Sequence, residues 1–217
     1  MNDQLKTQFQ LSLAEMLKEL AVEIPGVKAT KKGLKFLCPY RGCLAGEMYF
    51  EYLRKAEGFY VGCEVDAGLI HEICTTVGGE WGSSLLNNST LSFTSLAEEN
   101  REFSDEVGGV IRLFGRMNID EAVADIKKRV YGFHVMKIRN LIDCSIGLLE
   151  DVKTYPAYYS RPLVICALCM KLNGVDDGEL LTQIMAKNKR VGRIDIDTLE
   201  KKISSLDFSI FRKISVI

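Results

Sequence analysis

Histidine is nearly absent: 217 residues hold two, His71 and His134, and neither has nearby carboxylates in an arrangement suited to acid–base work. No phosphate loop, dinucleotide fingerprint, nucleophile elbow or zincin helix occurs. The acids from Glu98 to Glu106 follow no ligand pattern and read as a solvated face. Together these absences argue against an enzyme. No apolar run approaches the roughly 18 to 20 residues of a membrane span. The amphipathic opening MNDQLKTQFQLSLAEMLKEL carries acids, which suits neither a secretory signal nor a transit peptide. A cytoplasmic protein without a membrane partner is expected. A large net charge is missing too: the formal value of −1 does not by itself suggest nucleic acid.

What is present is an ordinary globular composition, 47% hydrophobic and 26% charged, long enough for one large or two small domains with a real core. The seven cysteines are odd in number and irregularly spaced, which implies free thiols in a reducing compartment rather than a disulfide framework. Cys166 and Cys169 have redox-motif spacing but sit inside an apolar helical stretch, so they read as core. Trp81, in GGEWGSS, reads as a packed anchor.

Charge is segregated along the chain. Glu64 to Glu106 holds nine acids and one base, net −8; Lys127 to Lys171 holds eight bases and three acids, net +5. A basic face on a neutral chain is what a phosphate-binding surface requires. The acidic part is expected to offer a protein partner, such as a co-regulator, a docking patch.

Periodicity predicts an α+β fold, mainly helical. Leu5, Phe9, Met16, Leu20 and Ile24 predict a helix over 3–24, stopped by Pro25-Gly26. Lys28 to Gly33 is a basic turn, with strands at Leu34–Cys38, Met48–Leu53 and Gly58–Val65. Ala67–Val77 is a candidate helix, and the Gly-, Ser- and Asn-rich Gly78–Phe93 a loop. Helical pattern returns at Asp105–Phe114 and again from Asn118, which with Glu121 has capping-box spacing, to about Val130. Further helices are expected after Asp176 or Asp177 and after Asp197, and the tail FSIFRKISVI is β-prone. A boundary near residue 104 divides an N-terminal α+β domain (1–104) from a helical domain (105–217).

Residues 130 to 173 carry the most specific pattern. His134 to Arg139 reads as a short strand released by Gly132; Ile142, Ile146, Leu149 and Val152 mark an amphipathic helix ended by Tyr155-Pro156; Ser160-Arg161-Pro162 opens a second, almost wholly apolar helix. This order resembles the ribbon-helix-helix (MetJ/Arc-like) family of DNA-binding proteins. The resemblance implies a homodimer whose paired strands enter the major groove of double-stranded DNA. With Met136 and Ile138 facing inward, Val135, Lys137 and Arg139 would face the bases, while Ser160 and Arg161 match the positions that anchor a backbone phosphate at the second helix. Ala157 to Tyr159 stand as an insertion against the family's shorter connection.

Cys38, Cys43, Cys63, His71 and Cys74 supply enough ligands for a tetrahedral zinc. FLCPYR and GFYVGCEVD resemble the zinc ribbon of bacterial primases, but Arg41 and Asp66 stand where that family has ligands, so the resemblance implies at most the hairpin shape. No cofactor is expected. The function expected is a sequence-specific, dimeric transcriptional regulator. The alternatives are a protein-interaction module, inhibitor or adaptor, without DNA binding, or a zinc-containing nucleic-acid accessory protein.

Overall fold

The first helix, α1 (Asp3–Glu23), forms because its apolar side chains recur at helical spacing: Phe9, Leu13, Met16, Leu17 and Leu20 are buried on one side. Pro25 cannot continue it, and Gly26, at φ 71°, turns the chain back. The structure is a computed structural model that describes residues 3–38, 43–66, 68–71, 90–96, 109–112 and 118–187. Next come β1 (Val27–Ala29), β2 (Gly33–Leu37), β3 (Leu44–Leu53), β4 (Gly58–Val65) and β5 (Leu91–Thr94), joined in a sheet of order β1-β2-β3-β4-β5. The first two pairs are antiparallel, with Val27 opposite Phe36 and Leu34 opposite Met48.

The sheet alternates with period two. Leu34, Phe36, Met48, Phe50, Phe59 and Val61 are buried on the face that carries α1, and the Phe9 and Phe59 rings meet at 5.2 Å. Lys35 and Glu51 point to solvent on the other face, with Glu47, Tyr49 and Tyr60 half-buried among them. Tyr49 lies flat on Gly62, where a Cβ would stand 2.4 Å from the ring. Ser95 stitches the sheet internally: its Oγ accepts from the Val61 N–H at 3.0 Å and donates to the Gly109 carbonyl at 2.8 Å.

Among the described residues, those from Ile119 to Lys187 are mainly helical: α2 (Ile119–Arg129), a π-helical stretch (Val130–Val135), α3 (Met136–Ile142), α4 (Gly147–Thr154), a 3-10 turn (Pro156–Tyr158), α5 (Pro162–Asn173) and α6 (Gly178–Lys187). The molecule is α+β, and the chain divides into two compact units. One comprises residues 1–64 with 93–138, the other 65–92 with 139–217, so neither is a continuous stretch. In the second unit α4, α5 and α6 pack together around Leu148, Val152, Leu181, Ile184 and an α5 buried from Pro162 through Met170.

Several expectations change. His134–Arg139 is helical, not a strand, and helix runs unbroken from Ile119 to Ile142. The buried residues Val130, His134, Val135, Ile138, Leu141 and Ile142 follow helical spacing, which outweighs the brief alternation around Met136. Gly132 does not release the chain: it sits inside the π-helical stretch Val130–Val135. The helix expected to run from Ile142 through Val152 is broken at Asp143–Ile146. There Cys144 adopts φ 50°, and Ile146, expected on the apolar side, is 62% exposed. Asn118 caps α2 as expected, its Oδ1 accepting from the Asp120 N–H at 3.1 Å. Arg161, not Ser160, is the N-cap of α5. Ile111 bridges to Phe59 in an extended pairing where a helix was expected. Trp81, Cys74, Glu98–Glu106, and the helix and tail beyond Asp197 lie outside the described residues.

Candidate binding groove

The expected DNA-reading residues differ in exposure. Val135 and Lys137 are buried at 2% and 3% exposure, while Met136, expected inside, is 45% exposed. The Lys137 ammonium sits 4.5 Å over the Phe133 ring, whose neighbour His134 stacks on Phe93 at 5.7 Å. Burial pushes the His134 imidazole down to about 4, and the Lys137 charge pushes the same way against a hydrogen bond from the ring to the Arg129 backbone. Arg139 pairs with Asp143 at 3.1 Å one turn on. Only Ser160 and Arg161 remain exposed, at the start of α5. The basic stretch is also partly neutralised. Lys127 reaches two carboxylates of α1, Glu23 at 2.8 Å and Glu19 at 3.1 Å, and Arg129 pairs with Asp125 at 2.9 Å.

The zinc candidates fare similarly. Among the described residues no three His, Cys, Asp or Glu side chains are grouped so as to hold a metal ion. Cys38 and Cys63 are buried and Cys43 is exposed; the Cys38 N–H donates to the Cys43 carbonyl at 2.8 Å, closing the hairpin. Cys166 and Cys169 are buried as expected for core thiols, and burial raises the Cys166 thiol. Cys169 Sγ donates to the Ser145 carbonyl at 3.3 Å, and Asn173 Nδ2 donates to the Cys144 carbonyl at 3.0 Å. That set ties the 143–146 turn to α5. No described helix is long and apolar enough to cross a membrane.

A concave surface does form within the first unit, between α1 and the turn joining β1 to β2. It encloses about 800 Å³, a size typical of ligand clefts. One wall is the α1 face Thr7, Gln10, Leu11, Ala14 and Lys18; the other is the turn Ala29–Lys32; Leu13, Phe50, Tyr52 and Phe59 lie beneath. Strand alternation supplies the floor. Phe50 and Tyr52 are two apart on β3 and share the inner face, and the Tyr52 and Phe59 rings meet at 5.1 Å. Leu11 lies off the buried stripe of α1, which leaves it 65% exposed at the rim.

The turn wall is fixed from both sides. The Thr30 N–H and Oγ1 both donate to the Gly33 carbonyl, at 2.8 and 3.1 Å, and Thr30 Oγ1 accepts from the Lys32 N–H at 3.3 Å. The Phe50 N–H donates to the Lys32 carbonyl at 2.7 Å. Gly33 passes so close to β3 that a Cβ would stand 1.9 Å from the Met48 carbonyl oxygen. Lys31 and Lys32 therefore project from rigid backbone. Around the same groove Lys6 lies 3.9 Å over the Tyr52 ring, and Lys18 pairs with Glu15 at 2.7 Å. The sequence marked Lys28–Gly33 as a basic turn. It gave no sign that Leu11 and Phe50 would stand beside it, because that juxtaposition needs the whole sheet.

The chain matches no protein-family model, and comparison with curated proteins and with solved structures gives no significant match.

Proposed function

We propose that this protein is a protein-interaction module whose first unit docks a segment of a partner protein in the groove beside α1. The observation that carries this reading is Leu11: a large apolar side chain, 65% exposed, on the rim of an aromatic-floored groove of about 800 Å³. An exposed leucine beside such a floor gains by being covered; full burial of a side chain of this size contributes about 1.5 to 3 kcal/mol. The groove is built on a helix and a pinned turn, so little ordering cost attaches to it on binding. Its lining sets lysines around apolar side chains, an arrangement that suits recognition of a segment.

The test is to pan a random peptide display library, of about a dozen residues per member as groove-binding segments are, on the full chain and on Leu11→Glu. Leu11 is largely solvent-exposed, so this substitution leaves the fold intact, which circular dichroism checks. Peptides that bind the natural chain and are lost from Leu11→Glu support the reading. Failure to obtain any Leu11-dependent binder overturns it.

A further inference from the structure

The groove is walled by lysine on both sides, and its basic turn is not compensated. Lys31 and Lys32 are both exposed, and neither has a carboxylate of a described residue within 4.0 Å. Among the described residues the one acid lining the groove, Glu15, is already turned to Lys18 at 2.7 Å. Lys6 adds a further positive charge over Tyr52. The opposite face of the same sheet is mixed in sign, with Lys35 beside Glu47 and Glu51. These two lysines stand on a turn whose backbone is tied by the Phe50 N–H to the floor itself, which holds the roots of both side chains beside the groove.

Resting on the groove reading above, we infer that the segment it takes is acidic and amphipathic, with apolar side chains on Leu11 and the half-buried Tyr52 and carboxylates against Lys31 and Lys32. An apolar floor alone would accept any greasy segment. The lysine rim selects by charge, favouring acidic partners in encounter and rejecting basic ones. Lipids and nucleotides are also anionic. The α1 wall, open to solvent at Thr7, Gln10, Leu11 and Lys18, suits a chain that runs past rather than a ligand that is enclosed.

The experiment sequences the Leu11-dependent peptides from the display selection, then measures their affinities on the natural chain and on the double variant Lys31→Glu, Lys32→Glu. Both sites are exposed, so the variant folds. The result expected is a pool with net negative charge next to apolar residues, whose binding weakens with salt and falls by about tenfold or more in the double variant. A Leu11-dependent pool without charge bias, or one indifferent to the double variant, overturns this inference while the groove reading stands. No Leu11-dependent pool at all overturns both.

Discussion

The Phe50 N–H donates to the Lys32 carbonyl at 2.7 Å, so the groove's basic wall and its aromatic floor are one hydrogen-bonded piece. A neighbouring glycine makes this possible. Gly33 brings β2 against β3 with no room for a side chain, and the same close approach sets the height of Lys31 and Lys32 above Phe50.

Gly33→Ala therefore has two consequences. The added methyl meets the Met48 carbonyl oxygen at 1.9 Å, a backbone atom that cannot rotate away. Forced shifts of this kind cost about 1 to 3 kcal/mol, so the urea midpoint should drop. The displaced turn should also weaken groove-dependent peptides beyond what the stability loss explains, measured well below the unfolding transition. An unchanged midpoint would mean that β2 and β3 do not approach as described.

His134 sets an acid limit on stability. Its folded value of about 4 lies below the ordinary 6.5, chiefly through burial. Between those values the unfolded chain takes up a proton that the folded chain refuses, so stability falls as pH falls from 6.5 toward 4 and levels out below. The shift corresponds to about 3 kcal/mol. His134→Gln, compared with the natural chain by urea melts at pH 7.5 and 4.5, should show a shallower loss on acidification. The comparison cancels the carboxylates common to both. Parallel pH profiles would remove His134 as the cause.

Much of this fold was legible locally. Pro25-Gly26 ends α1 and Gly58–Val65 forms β4 because each signal is contained in a few residues: a missing N–H, or a run of branched and aromatic side chains. The burial of α5 from Pro162 through Met170 followed from the absence of charged and amide side chains in that span. His134–Arg139 misled because six residues do not separate a period of 2 from one of 3.6, and the deciding partners, Val130 at one end and Leu141 at the other, lie outside that window. The groove was illegible for another reason. Leu11, Lys31 and Phe50 belong to three parts of the chain, and they meet only through the β2–β3 register and the packing of α1 on the sheet. The basic stretch looked available for phosphate because Lys127 and its carboxylates Glu19 and Glu23 are more than a hundred residues apart in the chain.

That long-range clamp is itself testable. Hydrogen bonds from Lys127 to Glu23 and then to Glu19 raise its amine above the ordinary 10.5. The stabilisation is thus complete below 10.5 and is lost as pH climbs through the raised folded value. Lys127→Met should lower Tm slightly in dilute buffer. The loss should vanish near 1 M salt, where screening acts over only about 3 Å, and in a Glu19→Gln, Glu23→Gln background. A loss that persists in that background would assign Lys127 a packing role instead.

The helical state of residues 130–142 makes opposite demands on two adjacent side chains. Val135 is 2% exposed and Met136 is 45% exposed, so truncating the first should matter far more than truncating the second. Val135→Ala removes two buried methyl groups, which with the residual cavity costs about 2 kcal/mol. Met136→Ala acts at a half-open site and should change stability by only about 0.5 kcal/mol. A strand with Met136 and Ile138 facing inward would reverse the order: Met136→Ala would be the costly change and Val135→Ala the tolerated one. Urea melts of the two variants therefore decide between helix and ribbon without reference to any ligand. If Val135→Ala is the costlier, Lys137 is confined to the core over Phe133. Any loss of DNA affinity in Lys137→Ala would then report unfolding rather than a lost base contact.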